Sequence, residues 1–356
     1  MSCHACPVGG AALCRVALAN GRHRGWNTSK VLRENMVKFV ARELNETYKA
    51  ADHTPSPESV ETAIKTGFLR LDDEIVNESV RRALKTTDRA WGTQMISSAN
   101  SGSCALLSFY DSQSKLLRVA CTGDSRAILG RRSDAGGWKA IPLSVDQTAK
   151  NADEVARLRK EHPGEENVVR NGRVLGQLEP SRAFGDAAYK WTRETHSQLR
   201  QHRLFVRSQS PALLTPPYVT AEPVVTTTKV EPEKGDFMVL ATDGLWDMLS
   251  VDEVVGLVGK WVDNKAKPGK INDKFTIQDK NAATHLARNA LGGGDENYVS
   301  ALLTIPSPQS RRFRDDITVQ VVFFGKGPST GDVAVNYDAA AGIVKAQADL
   351  KAKAKL

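Results

Sequence analysis

Residues 104–129 read CALLSFYDSQSKLLRVACTGDSRAIL. Three short apolar runs, Cys104 to Tyr110, Leu116 to Cys121 and Ala127 to Leu129, are parted by Asp111–Lys115 and by Gly123–Arg126. Runs of this length, bounded by Gly, Asp and Ser, predict strands joined by tight turns, hence an antiparallel meander. On the N-terminal side the period changes to that of a helix. Leu32, Met36, Phe39, Val40 and Leu44 recur at helical spacing between Ser29 and Ala51, and Val60, Ile64, Phe68, Leu71 and Ile75 form a second stripe. Such stripes are core, not cofactor contacts.

On the C-terminal side, Ala149 to His162 is polar and helix-forming and ends at Pro163-Gly164. Asn171-Gly172 is a hairpin-turn dipeptide. Residues 192–217 are rich in Arg, His, Gln and Ser and read as a surface insertion. Val224–Val230 and Phe237–Ala241 are further strands. Ser250 to Glu253 is a capping box opening a helix that runs to about Trp261. Residues 263–274 read as a loop and Asp279 to Leu291 as a helix ended by Gly292-Gly293-Gly294. Ile317 to Phe324 is a last strand, and 339–356 an Ala/Lys-rich helical tail. Helices and strands thus come in blocks, which predicts an antiparallel α+β layered fold and not a doubly wound one.

The chain has 356 residues, 40% hydrophobic and 25% charged, the balance of a soluble globular protein. No apolar run approaches the roughly 20 residues of a membrane span. Five cysteines, three of them within the first 14 residues, are too few and too uneven for a secreted disulfide framework. Cys3 and Cys6 have no second ligand pair at zinc-site spacing. The first 33 residues contain no acid and five bases, compatible with an organelle transit peptide; we read them as a short basic terminus. The net charge of +8 permits attraction to polyanions. The basic stretches near 193–207 and 264–274 lack interleaved aromatics, so they read as solvated loops and no nucleic-acid partner is expected.

Several chemistries are excluded. No Cys is followed six positions later by Arg, and no G-x-x-x-x-G-K-[ST], G-x-S-x-G or H-E-x-x-H occurs. What remains is a series of aspartates at strand–turn junctions: Asp124 in Gly123-Asp124-Ser125-Arg126, Asp186 closing Ser181–Asp186, Asp243 and Asp247 framing Asp243-Gly244-Leu245-Trp246-Asp247, and Asp315 and Asp316 before the last strand. A single Asp in such a place is ordinarily a turn or cap residue. Several held on one rigid frame can converge, and hard divalent cations such as Mg²⁺ or Mn²⁺ select such oxygens. Two such ions can activate a water and clamp a phosphoryl group for in-line attack.

In this order, with Gly102-Ser103-Cys104-Ala105 ahead of them, the motifs resemble the metal-dependent protein Ser/Thr phosphatases of type 2C. Asn151 to Pro163, Phe184-Gly185-Asp186 with Lys190-Trp191, and Thr215 to Pro223 resemble the pyruvate dehydrogenase phosphatase branch in its fungal form. The resemblance implies two antiparallel sheets flanked by helices, an α-β-β-α sandwich, over residues 23–325, with insertions near 192–217 and 263–274. Residues 1–22 are then an atypical basic terminus and 326–356 a tail. It implies two or three Mg²⁺ or Mn²⁺ ions. Asp243 and Asp315 would belong to the binuclear centre, Asp124 and Asp247 to a weaker third site, and His23 would be the general acid. Arg182, Phe184 and Asp186 would be structural supports. The implied reaction is hydrolysis of phosphoserine or phosphothreonine by a metal-activated water. The implied substrate is the phosphorylated E1α subunit of pyruvate dehydrogenase, in the mitochondrial matrix.

One motif departs from the pattern. The family's Asp-Gly-His-x-Gly is here Gly21-Arg22-His23-Arg24-Gly25, so the metal-bridging Asp is a glycine and a cation sits beside it. We therefore expect a sandwich lacking its first strands and a chain impaired in activity. The preferred reading is a terminus that is not native; the alternative is a pseudophosphatase that binds phosphoproteins or acts as a scaffold.

Overall fold

A computed structural model describes residues 25–264, 267–306 and 308–325, with the backbone of strands at 4–8, 12–16, 18–19 and 22–23. Two four-stranded antiparallel sheets form its centre. We label β1 (Leu18–Ala19), β2 (Arg22–His23), β3 (Gly102–Ser103), β4 (Ala105–Asp111), β5 (Leu116–Thr122), β6 (Arg126–Arg132) and β7 (Trp138–Pro142). β8 (Phe184–Gly185), β9 (Val224–Lys229), β10 (Phe237–Ala241) and β11 (Val319–Phe323) complete the set. The first sheet runs β9-β5-β4-β1, the second β11-β10-β6-β7, and a small third runs β8-β3-β2.

Side-chain alternation sorts these strands into layers. Ala105, Leu107 and Phe109 of β4 pack against helices α1 (Asn27–Ala50) and α2 (Pro57–Asp73), carrying both helical stripes read from the sequence. Leu106, Val119, Ala127, Leu129, Met238 and Leu240 fill the space between the sheets. Ile128, Phe237, Val239 and Ala241 face α3 (Val251–Asp263) and α4 (Ala282–Ala290). A period of two thus sends alternate residues to a helix layer and to the sheet–sheet interface. The result is the expected α-β-β-α sandwich.

Local signals behave as the sequence predicts. Ser56 caps α2 with Pro57 in the first turn, and Ser250 and Glu253 make a reciprocal capping box on α3. The Asn171-Gly172 turn joins Val169–Arg170 to Arg173–Val174.

Three features differ. The loss of first strands is partial: β1 takes the edge beside β4, Leu18 opposite Leu107, and backbone strands His4–Val8 and Ala12–Val16 pair ahead of it. The 192–217 stretch is more than surface, since it buries Leu199, Leu204 and Leu213. β7 and the helices Arg89–Met95 and Glu296–Thr304 give no clear sequence signal. The expected helix at 339–356 lies outside the described residues. Among the described residues no helix is long and apolar enough to cross a membrane.

Candidate active site at one end of the second sheet

β10 is the middle strand that places the acids. Its last residue, Ala241, pairs with Arg126, the first residue of β6, and with Val319, the first residue of β11. Because both neighbours run antiparallel to β10, the turn before β6, the turn after β10 and the loop before β11 share one end of the sheet. Those segments carry Asp124, Asp243 with Asp247, and Asp315.

Backbone contacts draw these segments together. The Thr242 hydroxyl donates to the Asp316 carbonyl at 3.0 Å and accepts from the Thr318 N–H at 3.0 Å. Gly244 permits the approach, since a Cβ there would lie 2.6 Å from the Asp316 oxygen. On the other side, Gly123 has φ +102°, and a Cβ would lie 2.1 Å from the Cys104 sulfur. The Cys104 thiol donates to Asp124 Oδ1 at 3.1 Å. Buried Gln147 clamps this turn, accepting from Gly123 N and donating to the Cys121 carbonyl. Arg126 is fixed by a two-point contact to Asp146. Neither Gln147 nor Asp146 stands out in the sequence, because the stretch around them has no periodicity and no motif.

The electrostatics follow from the crowding. Partial burial first, then the charges of Asp124, Asp315 and Asp247, push the half-buried Asp243 carboxyl from 3.8 up to about 6, against a hydrogen bond from Gly244 N. Asp247 is raised as well, by desolvation and by Asp315, Glu179 and Asp124, with Arg126 opposing. Burial, then Asp124, keep the Cys104 thiol protonated, its pKa well above the usual value. Arg311 approaches Asp315 at 3.5 Å and is exposed.

The sequence-derived acids Asp124, Asp243, Asp247 and Asp315 are therefore electrostatic neighbours. Hard oxygen donors gathered at one sheet end fit a divalent ion in kind. In number they fall short, for among the described residues no three of His, Cys, Asp or Glu converge closely enough to hold one. His23 is placed by its backbone alone: β2 lies beside β3, with His23 opposite Gly102. Its side chain and residue 21 lie outside the described residues. On the other edge of β3, Gly185 pairs with Gly102, and Asp186 N donates to the Ser101 carbonyl.

The expected supports are anchored from behind. Arg182 donates twice to Glu154, which also accepts from Arg157 and Ser181. Phe184 packs on Phe68 with ring centres 5.4 Å apart. Asp72 accepts from Gly185 N and from Lys190, tying that segment to α2.

The profile of the family described as protein phosphatase 2C matches residues 19–297. A protein phosphatase 2C homolog of Schizosaccharomyces pombe is 46% identical, over 85% of this chain and 71% of its own length. Mitochondrial pyruvate dehydrogenase (acetyl-transferring) phosphatase 1 of Saccharomyces cerevisiae is 41% identical, over 94% of this chain and 65% of its own. The crystal structure of serine-threonine phosphatase 2C from Toxoplasma gondii superposes with a TM-score of 0.53 at 18% identity, covering 89% of this chain and 86% of that one, a likeness of fold. The family match stops before Asp315, whose place beside Asp243 rests on the pairing of β10 with β11. The chain belongs to the protein phosphatase 2C family, a family of protein serine/threonine phosphatases.

Proposed function

We propose that residues 23–325 form a metal-dependent phosphatase domain that removes phosphate from serine or threonine of a protein. The substrate we assign is the phosphorylated E1α subunit of pyruvate dehydrogenase in the mitochondrial matrix, in line with the name of the yeast relative. The observation that carries the reading is the gathering of Asp124, Asp315 and Asp247 around Asp243 at one sheet end, where burial and their charges oppose its ionisation. Such a set is unfavourable by itself and is relieved by a cation.

Asp243 and Asp315 would hold the Mg²⁺ or Mn²⁺ pair, and Asp124 and Asp247 a further ion. When bound, the ions supply a polarised water and positive charge against the phosphoryl oxygens. The chain's own residues fix the frame: Thr242 ties the two acidic loops, Cys104 and Gln147 orient the Asp124 turn, and the β2–β3 pairing sets the His23 backbone opposite Gly102, two residues before Cys104. We assign His23 as the general acid for the leaving serine or threonine oxygen.

Gly21, where the family pattern has Asp, leaves the donor set incomplete, so the chain as it stands is impaired. The test is hydrolysis of a phosphoserine peptide with Mn²⁺. The present chain is expected to be near background and Gly21→Asp to restore turnover, with Arg22→Gly adding to it. Full activity in the unaltered chain would overturn the placement of the metal centre. Phosphopeptide binding that survives chelation, with no turnover in either variant, would favour the pseudophosphatase reading.

A further inference from the structure

A cavity of about 160 Å³ opens where four segments meet. Asn27 comes from the start of α1, Thr93 from the helix Arg89–Met95, and Ser97, Asn100 and Ser101 from the stretch leading into β3. The 192–217 insertion closes it with Phe205 and Arg207. Its walls are fixed. Asn100, 8% exposed, donates to the Phe205 carbonyl and accepts from Arg207 N, while Arg207 Nε donates to the Asn100 carbonyl at 2.7 Å. The Thr28 hydroxyl donates to the Ser98 carbonyl, and its N–H donates to Ser101 Oγ. The cavity is therefore preformed.

Its size and chemistry restrict the occupant. It is well below the roughly 300–1,000 Å³ of sites that take drug-sized ligands, so one side chain is the natural guest. The lining residues are amides, hydroxyls, one aromatic and one guanidinium, with no acid among them. Of the four arginines that the insertion carries between residues 192 and 209, against the single acid Glu194, Arg207 is the one that lines the cavity. A lining with one guanidinium and no acid selects an anion, and a guanidinium gives a carboxylate charge-assisted hydrogen bonds. Phe205, which lines the cavity and is 64% exposed, leaves aromatic surface there. Aromatics beside Arg are the composition of binding hot spots.

The location ties the cavity to the acid cluster. Ser101 precedes β3, and three residues on, Cys104 touches Asp124. Three residues of extended chain reach at most about 10 Å. We propose that the cavity takes an Asp or Glu side chain lying two to four residues from the phosphoresidue of the protein substrate, with Arg207 as the specificity-determining residue. The inference rests on the function proposed above and narrows its substrate class to acid-flanked phosphosites.

The test is fluorescence anisotropy of the full chain with labelled phosphoserine peptides, Glu or Gln being placed in turn at each position two to four residues away. At one position the Glu peptide is expected to bind at least about tenfold more tightly, the scale of a hydrogen bond to a charged group. Arg207→Gln should erase that preference and leave the Gln peptide unchanged, and Arg207→Lys should restore part of it. Ser97→Leu, which fills the cavity and keeps Arg207, should also erase it, and it decides the matter if Arg207→Gln fails to fold. Equal binding of Glu and Gln peptides at every position would overturn the proposal. Because binding is read without turnover, a chain that prefers Glu but never hydrolyses, even as Gly21→Asp, refutes the phosphatase reading alone. Hydrolysis without preference refutes the cavity alone.

Discussion

Glu154 and Asp243 are both carboxylates held away from bulk water, and the fold treats them in opposite ways. Burial would raise Glu154, but hydrogen bonds from Arg182, Arg157 and Ser181 outweigh it and bring its pKa down from 4.5 to about 2. Asp243 is also raised by desolvation, and its charged neighbours are further acids, so it moves up to about 6. The first carboxylate is neutralised within the chain and locks a strand segment in place. The second, on the function proposed above, is left for a cation from outside. Structural and functional acids are thus told apart by whether the fold supplies the counter-charge.

The contrast is open to direct attack. The largest effect expected is on turnover: in the Gly21→Asp background, Asp243→Asn should lower Mn²⁺-dependent hydrolysis about 10³-fold, roughly 4 kcal/mol of transition-state stabilisation. Steady-state kinetics on a phosphopeptide reads this, and a drop below about tenfold would remove Asp243 from the centre. Next, Glu154→Gln should destabilise the fold by about 3 kcal/mol, because Arg182 and Arg157 lose their acceptor in a buried setting. Urea denaturation checks it, and an unchanged midpoint would mean the network is not structural.

Excess Mn²⁺ should stabilise the Gly21→Asp chain by about 2.7 kcal/mol at a hundred times its Kd, and Asp243→Asn should abolish that gain in a thermal-shift titration. The smallest effect is a pH slope without metal. Asp243 holds its proton more tightly when folded, so its contribution is present near pH 4 and is lost as pH rises through about 6. Glu154 has the opposite sign, stabilising above about 4.5 and losing that contribution as pH falls towards 2. Denaturation midpoints against pH should therefore flatten between 4 and 6 in Asp243→Asn and on the acid arm in Glu154→Gln. Swapped behaviour would reverse the two assignments.

Much of this was legible residue by residue, because the signals are local. The α1 and α2 stripes, the β4–β6 meander, the Asn171-Gly172 turn and the Ser250–Glu253 box each follow from spacing or backbone preference within a few residues. Each Asp of the site sits at a strand end that the sequence marks. The insertion was misleading for the same reason. Its composition is polar, and Leu199, Leu204 and Leu213 have no regular period, so nothing local announces that they are buried.

What the sequence determined by itself was most of the inventory: the strands and helices with a local signal, and the acids that stand at their ends. Only tertiary structure decided that β10 lies between β6 and β11, so that three distant turns share one end of a sheet and their carboxylates repel. The same holds for the cavity beneath the insertion, assembled from four segments with no common motif. The physical reason is range. Propensity and capping act over one or two turns of chain, whereas charge coupling and cavity shape depend on distances through space between residues more than a hundred positions apart.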